Sequence, residues 1–220
     1  MAFTILSIDG GGIRGVYPAH ILKCLEERLG INLLSTFDLI AGTSTGSIIA
    51  SAVAANVRAS DIVTMYELHG QAIFKKQHPL TPSFALGLFE SMYDSHSLDQ
   101  VLTDVFKETE LGQIKKPLLL PATDIGNGNV HVFKSGYSAT FTRDNNIKVK
   151  DAVLASCSAP TFFDPHKVDS YLLSDGGLWA NNPSLAAIIE AQKRLNIEIG
   201  DILIIFFTFN KIHYVRMINP

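Results

Sequence analysis

Ser44 is the residue best placed for nucleophilic chemistry, because it lies between Gly42 and Gly46 directly after an apolar run. Gly-x-Ser-x-Gly is typical of a nucleophile elbow, a sharp turn from a strand into a helix that exposes the serine hydroxyl. Glycines suit the flanking positions because larger side chains would collide with the adjoining strand and helix. The first N–H groups of that helix would stabilise negative charge near the serine oxygen. A turn of small residues without chemistry is the alternative interpretation.

A serine hydroxyl also needs a base, and Asp175 is the strongest candidate. It follows a short apolar strand pattern and precedes Gly176 and Gly177, which keep the turn open around its carboxylate. A free aspartate, with a pKa of about 3.9, is a weak base. Desolvation beside Ser44 would raise its proton affinity and make proton transfer feasible. Of the seven histidines, His166 is near Asp175 in the sequence and stays an alternative member of a triad.

The glycine-rich segment 10–15 (Gly-Gly-Gly-Ile-Arg-Gly) lies between a predicted strand and a predicted helix, which is the setting of a dinucleotide-binding loop. That function requires an acidic residue at the end of the second strand, about 20 residues beyond the loop. Glu26 and Glu27 instead fall inside the predicted first helix, and Asp38 precedes its strand. The hypothesis of a nucleotide-binding oxidoreductase is therefore disfavoured.

The same glycine-rich loop could serve acyl transfer. Consecutive glycines leave backbone N–H groups uncovered, and such groups can bind an oxyanion, each donor lowering the barrier by about 2.7–4 kcal/mol. Arg14 could add positive charge or fasten the loop, or it could simply pair with a surface acid. We therefore predict an oxyanion hole in the loop formed by Gly10, Gly11, Gly12, Arg14 and Gly15.

The composition is that of a globular chain of the size of one domain. Its 220 residues are 47% hydrophobic and 18% charged, with a formal net charge of -3, and no basic block indicates a nucleic-acid partner. Cys24 and Cys157 lie far apart without metal-ligand spacing, which predicts reduced thiols in a cytoplasmic protein. Residues 39–57 are uncharged but rich in serine and threonine, so we expect a buried strand–turn–helix instead of a membrane span. We expect no secretory signal.

Strand and helix patterns alternate along the chain. Strands are expected over residues 3–8, 39–41, 117–122, 130–133, 171–174 and 202–209, and helices over 16–29, 45–56, 60–69, 97–107, 149–156 and 183–195. This alternation predicts the α/β class, as a three-layer α/β/α sandwich with a largely parallel central sheet.

Two local details complete this prediction. Ser60-Asp61 and Ser97 are the expected N-caps of two helices. Residues 71–96 are less regular, with prolines and a glycine among apolar residues, and would form either a lid or a cover for the core.

Three of these motifs, in this order, resemble the signatures of a known family. Residues 9–15 (Asp-Gly-Gly-Gly-Ile-Arg-Gly), 42–46 (Gly-Thr-Ser-Thr-Gly) and 175–177 (Asp-Gly-Gly) are similar to those of the patatin-like phospholipases. The segments 37–41, 122–124, 155–162 and 179–183 resemble the family as well. The resemblance covers about residues 3–205, and three ordered motifs are far more specific than any one of them.

The resemblance implies a serine–aspartate dyad that hydrolyses lipid esters without a catalytic histidine. Ser44 would be the nucleophile, Asp175 the general base, and Gly10, Gly11 and Gly12 with neighbouring amides the oxyanion hole. No metal or other cofactor is implied. The expected partner is a membrane or micellar lipid carrying ester-linked acyl chains, which fits a cytoplasmic enzyme with transient membrane association and no transmembrane anchor.

Two departures from the family pattern bear on these expectations. Ser47 occupies a position where relatives often have glycine, which would slightly alter the start of the elbow helix. Relatives usually continue the last strand into a Ser-Leu-Gly-Thr-Gly type of turn, whereas here it runs into Phe-Phe-Thr-Phe-Asn at residues 206–210. We therefore predict a patatin-like domain over residues 1–205 and an atypical, truncated tail over 206–220. The alternative function is a truncated or inactive member that serves as a storage or binding protein.

Overall fold

The computed structural model describes residues 2–75, 91–208 and 210–217, and in these residues eight strands form one sheet. The strands are β1 (Phe3–Ile8), β2 (Leu39–Gly42), β3 (Leu118–Asp124), β4 (Asn129–Lys134), β5 (His166–Val168), β6 (Tyr171–Asp175), β7 (Ile202–Phe207) and β8 (Ile212–Arg216). The sheet order is β5-β6-β3-β2-β1-β7-β8, and β4 also pairs with β3. The pairs β3–β2, β2–β1 and β1–β7 are parallel, and the pairs towards both edges are antiparallel.

Helices connect the strands and cover the sheet on both faces. In chain order the helices of the described residues are α1 (Val16–Leu29), α2 (Leu33–Thr36), α3 (Thr45–Ala54), α4 (Ala59–Ile73), α5 (Ser95–Phe106), α6 (Val149–Cys157), α7 (Gly177–Ala180) and α8 (Ser184–Arg194). Short 3-10 turns span Gly12–Gly15, Leu111–Gln113 and Ile199–Asp201. The predicted α/β sandwich, with parallel strands at its centre, is confirmed.

The helix α3 lies at the centre of the larger core. All ten of its residues are buried, and it shares that core with α1, α4, α5 and α6 on one face of the sheet. This burial explains why residues 39–57 carry no charge and yet need not span a membrane. The opposite face of the sheet packs against α8 in a smaller core that includes Ile5, Leu39 and Ala187.

The pairing along β3 brings two distant segments together. β4 occupies one edge of β3, so β2 and β6 both pair with the other edge. β2 pairs with Leu118 and Leu119, whereas β6 pairs antiparallel with residues 122–124, and Asp175 lies opposite Ala122. The carboxyl ends of β2 and β6 therefore point towards each other, and the turn after β2 meets the end of β6.

Several local expectations need correction or lie outside the described residues. The N-cap of α4 is Arg58, not Ser60-Asp61 as predicted. The N-cap of α5 is Asp94, not Ser97 as predicted, and the Asp94 carboxylate accepts from the N–H of His96 at 2.9 Å. Aspartate caps a helix as well as serine does, and the apolar spacing alone does not distinguish between the two turns. Most of the predicted lid or cover at 71–96 lies outside the described residues.

The end of the chain joins the sheet. β7 continues to Phe207, and β8 pairs antiparallel with it along five residues. The segment that the sequence assigned to an atypical tail thus contains the end of one strand and all of the next. Among the helices of the described residues, none combines the length and hydrophobicity that crossing a membrane requires.

Candidate active site

Ser44 lies at the turn between β2 and α3, in a backbone conformation with φ 54° and ψ -130°. Such a conformation is strained for a residue with a side chain and costs about 1–3 kcal/mol. The two flanking glycines allow the turn to close. A Cβ atom at Gly42 would lie 2.2 Å from the backbone oxygen of Gly46, and one at Gly46 would lie 2.3 Å from the backbone oxygen of Ile8. The local geometry is therefore that of a nucleophile elbow.

Buried serines hold the strained backbone of the elbow in place. The N–H of Ser44 donates to Ser156 Oγ at 3.1 Å, and the Ser156 hydroxyl donates to the backbone oxygen of Pro121 at 2.6 Å. On the other side of the turn, the Ser47 hydroxyl donates to the backbone oxygen of Ser44 at 2.5 Å. The serine at position 47, a departure from the family pattern, thus fastens the first turn of α3.

Asp175 lies at the end of β6 and lines the same cavity as Ser44, whose side chain lowers the pKa of Asp175 as a hydrogen-bond partner. Its carboxylate also accepts from the N–H of Gly177 at 2.6 Å, and its own N–H donates to the backbone oxygen of Ser158 at 2.9 Å. Burial raises the pKa of Asp175, and the hydrogen bonds from Ser44 and Gly177 partly counter that increase. A carboxylate in this setting is a stronger base than one in water.

The glycine-rich loop lies against the elbow, but its first two N–H groups are engaged. Gly10 donates to the backbone oxygen of Asn181 at 3.1 Å, and Gly11 donates to Thr45 Oγ1 at 3.2 Å. The N–H groups of Gly12 and Thr45, in contrast, have no acceptor among the residues that the structure describes. Both residues line the same cavity as Ser44.

The other two predicted members of the oxyanion loop have different surroundings. Arg14 lines the cavity, and its Nε donates to the backbone oxygen of Gly11 at 3.2 Å, which fastens the loop. Gly15 is buried against α4, where an added Cβ would lie 2.5 Å from the Tyr66 hydroxyl oxygen. Tyr66 in turn donates to the backbone oxygen of Thr45 at 3.2 Å. Arg14 thus ties the end of the loop back to Gly11, and Gly15 packs that end against α4.

The segment after Asp175 connects the elbow and the glycine-rich loop. Thr43 Oγ1 donates to the backbone oxygen of Ala180 at 2.7 Å in the buried interior. Asn181 Nδ2 donates to the backbone oxygen of Gly10 at 3.3 Å. Asn182 Nδ2 donates to Asp9 Oδ1 at 2.7 Å, and burial raises the pKa of Asp9 to about 6. These bonds fix the three sequence motifs relative to one another.

An apolar cavity of about 660 Å³ opens beside Ser44 and Asp175. Apolar and aromatic side chains from α3, α4, α5 and the segments around them line it: Ile48, Met65, Tyr66, Ile73, Phe74, Tyr93, Leu98, Phe162 and Phe163. At its rim Ile13, Phe162 and Leu178 are 46%, 42% and 56% exposed. The cavity therefore offers an apolar space, and an apolar entrance, next to Ser44.

Of the remaining candidates of the sequence analysis, His166 lies outside the cavity lining, whereas Cys157 belongs to it. His166 on β5 pairs with Asp151, with 3.3 Å between Nε2 and Oδ1, and no described residue of the cavity lining is a histidine. Cys157 is buried with a free thiol 3.8 Å from Ser47 Oγ, and Cys24 is free and half-buried. No group of three or more histidine, cysteine, aspartate or glutamate side chains in the described ranges is placed to bind a metal ion.

Sequence reasoning missed the residues that hold the segments around Ser44 and Asp175 in place. Thr43, Ser156 and Asn181 bond through their side chains to backbone atoms far away in the sequence. Ser158 accepts from the N–H of Asp175 through its backbone oxygen, and Asn182 donates to the Asp9 carboxylate. A serine inside a helix pattern carries no local mark of such a bond. The polar pair Asn181-Asn182, so close after the candidate base, was the one signal available.

These groups suit acyl transfer. Ser44 and a buried carboxylate line one apolar cavity, together with Gly12 and Thr45, whose N–H groups have no acceptor among the described residues, and the space beside them is large enough for an apolar chain. Nucleophile, base and electrostatic stabiliser are the parts that such a reaction needs.

Comparison with known proteins agrees with this chemistry. The model of the family "Patatin-like phospholipase" matches residues 6–188. A cGAMP-activated phospholipase of Pseudomonas aeruginosa is 36% identical over 191 residues, with 86% of this chain and 57% of the relative covered. The cGAMP-activated phospholipase of Vibrio cholerae is 37% identical over 205 residues, with 84% and 57% covered. Patatin-like protein 3 of Arabidopsis thaliana is 31% identical over 241 residues, with 93% and 56% covered.

A solved structure shares the fold. The structure of VipD from Legionella pneumophila matches with a TM-score of 0.52 and 15% sequence identity, over 96% of this chain and 62% of VipD. The chain spans a little over half the length of the three relatives named above. The family model nevertheless covers most of the chain, including the glycine-rich loop, the elbow and the aspartate motif. The chain belongs to the patatin-like phospholipase family.

Proposed function

We propose that this chain hydrolyses fatty acyl esters of phospholipids or galactolipids through a Ser44–Asp175 dyad. The observation that carries the proposal is that Ser44, in its elbow turn, and the buried Asp175 carboxylate line one apolar cavity, where Ser44 acts on the pKa of Asp175 as a hydrogen-bond partner. The family assignment supports the same reaction class.

The reaction follows from the roles of these groups. As Ser44 Oγ attacks the ester carbonyl carbon, its proton passes to Asp175, and the carbonyl oxygen becomes an oxyanion. The N–H groups of Gly12 and Thr45, which line the cavity beside Ser44, are the proposed donors to that oxyanion. Asp175 then returns the proton to the leaving alcohol as the tetrahedral intermediate collapses. Water, deprotonated by Asp175, then attacks the acyl-enzyme; the bond between the acyl carbon and Ser44 Oγ breaks, Asp175 returns the proton to Ser44 Oγ, and the fatty acid leaves.

Gly10 and Gly11 have a different part in this proposal. Their N–H groups donate to Asn181 and Thr45, so Gly10 and Gly11 shape the loop, while the N–H of Gly12 stays available for the oxyanion. Arg14 and Gly15 support the loop from outside the oxyanion position. The oxyanion hole predicted from the sequence is thus narrowed to one member of the glycine-rich loop and one residue of the elbow.

The cavity and its rim support a lipid substrate. The apolar lining beneath Ser44 would bind an acyl chain, and the exposed side chains of Ile13, Phe162 and Leu178 would touch the apolar layer of a membrane or micelle. Burying such side chains in a lipid surface stabilises association by about 25 cal/mol per Å² of apolar area. We therefore propose transient association with the lipid surface during turnover.

Fatty-acid release from phosphatidylcholine vesicles tests this function. Wild type should release fatty acid at an unchanged rate in a calcium chelator, because Asp175 handles every proton transfer. Ser44→Ala should abolish release, and Asp175→Asn should slow it by about 10²- to 10⁴-fold, the typical contribution of a general base. Asp104→Asn is the matched control, because it makes the same change at an exposed residue.

Two outcomes would overturn the proposal. One is a folded wild-type chain that is inactive both alone and with cGAMP, the activator that the names of the bacterial relatives give. The other is activity that survives Ser44→Ala.

A further inference from the structure

A second, smaller cavity adjoins the active-site cavity. It has a volume of about 160 Å³ and lies between α3, α4 and α5. Ile48 of α3 and Met65 of α4 line both spaces. Because the same two side chains face both cavities, they form the wall between them.

The wall lies on the path that leads away from the nucleophile. Ser44, Ile48 and Ala52 are spaced four residues apart, so they follow one another along one side of α3. Each step of four residues advances about 6 Å along a helix axis. Ile48 is therefore one turn from Ser44, and Ala52, which lines the second cavity, is two turns away. A chain that runs from Ser44 along α3 reaches the wall before the second cavity.

The second cavity has the right chemistry to receive an apolar chain. Ala52, Ile62 and Val105 provide apolar walls. One lining residue is charged: Asp61 lies at the outer end, where its carboxylate pairs with Arg58 at 3.2 Å. The space thus continues the apolar character of the active-site cavity as far as that ion pair.

Met65 is the adaptable half of the wall. Its side chain is unbranched and flexible, whereas the β-branched Ile48 is stiff. Met65 is 7% exposed and Ile48 2% exposed, so both are packed in place. Ile48 lies in the first turns of α3, directly after Ser44. Met65 belongs to α4, which contributes no residue to the Ser44–Asp175 dyad or to the glycine-rich loop.

We propose that Met65 determines the acyl-chain length that the enzyme accepts, by closing the active-site cavity one helical turn beyond the nucleophile. This inference rests on the proposed lipid hydrolase function. Shortening the side chain at position 65 would join the two cavities and admit longer chains. A group the size of a water molecule occupies about 30 Å³, so a second cavity of about 160 Å³ holds roughly five further carbons of an acyl chain.

Hydrolysis of p-nitrophenyl esters from butanoate to octadecanoate tests this inference. In wild type kcat/KM should rise roughly fourfold for each methylene that is buried, and then stop rising at the length that fills the cavity. Met65→Ala should move this limit to longer chains, by up to roughly five carbons. Val63→Ala is the control, because Val63 is a buried residue of the same helix that lines neither cavity. Its limit should equal that of wild type.

A second variant separates the wall from general loosening of the core. Adding Ala52→Leu to Met65→Ala refills the second cavity and should return the length limit to that of wild type. The proposal is overturned if Met65→Ala keeps the wild-type limit, or if Val63→Ala shifts it equally.

A binding readout distinguishes failure of this inference from failure of the proposed function. In the Ser44→Ala background, saturated fatty acids should raise the melting temperature increasingly with chain length up to the limit, since ligands stabilise the folded state they bind. Met65→Ala should extend that series even if no ester is hydrolysed. An identical series with and without Met65→Ala would overturn the length proposal, whereas a shifted series without hydrolysis would overturn only the hydrolase function.

Discussion

Replacing Ser156 by alanine should destabilise the fold because one hydroxyl serves two segments of the active site. Ser156 is fully buried, accepts from the N–H of Ser44, and donates to the backbone oxygen of Pro121. Ser156→Ala leaves that N–H and that carbonyl without their partner. Each buried polar group left unpaired costs about 1–3 kcal/mol, so for the two groups we expect a loss of about 2–6 kcal/mol in the free energy of unfolding.

Urea unfolding, followed by circular dichroism, measures this loss. Ser158→Ala is the matched control, because its hydroxyl is also buried but donates only to the backbone oxygen of Leu154, one turn earlier at the end of the same helix. We expect that control to lose about 1 kcal/mol or less, the net value of one ordinary hydrogen bond. If both variants lose the same free energy, the elbow is not held by Ser156 and the reasoning fails.

Three further predictions concern the elbow, a buried histidine and a buried ion pair. Gly46→Ala should prevent labelling of Ser44 by a fluorophosphonate probe, because the added Cβ would collide with the backbone of β1. In the control Gly126→Ala, the added Cβ would have no neighbour closer than 3.4 Å, so Ser44 should be labelled as in wild type. His131 is packed against Phe133 and Tyr171, and burial and Arg143 lower its pKa to about 4. Folding therefore favours the neutral form of His131, and the free energy of unfolding should fall as the pH drops from the unfolded pKa of about 6.5 towards 4. Between pH 7 and pH 5, the free energy of unfolding measured in urea should fall by about 1–2 kcal/mol less in His131→Phe than in wild type. An equal fall in both proteins would refute this. Glu190→Ala should lower the free energy of unfolding, measured in a thermal melt, by about 3–5 kcal/mol. The substitution leaves Lys134, whose Nζ is 2.8 Å from the carboxylate, and the Tyr137 hydroxyl without their partner. Glu198→Ala at the surface should change the free energy of unfolding little in the same measurement.

Activity should also fall on the acid side of the pH profile. Burial raises the pKa of Asp175 above its usual value, and only the ionised carboxylate can accept the proton of Ser44. As the pH falls through that raised pKa, kcat/KM for a soluble ester should therefore decrease as one proton binds. A rate that stays constant down to the pH at which an ordinary aspartate is protonated would contradict the role of Asp175.

The fold class could be predicted from the sequence because the signals were local and consistent. β1 and α1 were expected at the residues where they lie, because a short, apolar and partly β-branched run marks the strand, and helical spacing with the glycine stop at Gly30 marks the helix. The N-caps were less accurate, because Asp94 and Ser97 are equally good caps and only the packing of α5 selects between them. The pairing of β8 depends on contacts with β7, which no local pattern shows.

The candidate site divides in the same way. Ser44 and Asp175 carry local marks, since each lies at the end of a strand pattern beside glycines. Which N–H groups of the glycine-rich loop remain free is decided by partners from other segments, namely Asn181 for Gly10 and Thr45 for Gly11. The antiparallel approach of β6 along the edge of β3, which brings Asp175 to Ser44, is likewise a property of the assembled sheet.

Mass spectrometry of the protein after reaction with a fluorophosphonate probe tests the central claim most directly. We predict a single adduct on the peptide that contains Ser44, no adduct on Ser44→Ala, and labelling of Asp175→Asn that is slower by about 10²- to 10⁴-fold. Asp104→Asn should react like wild type. An adduct on another serine, or labelling of Asp175→Asn at the wild-type rate, would contradict the Ser44–Asp175 dyad.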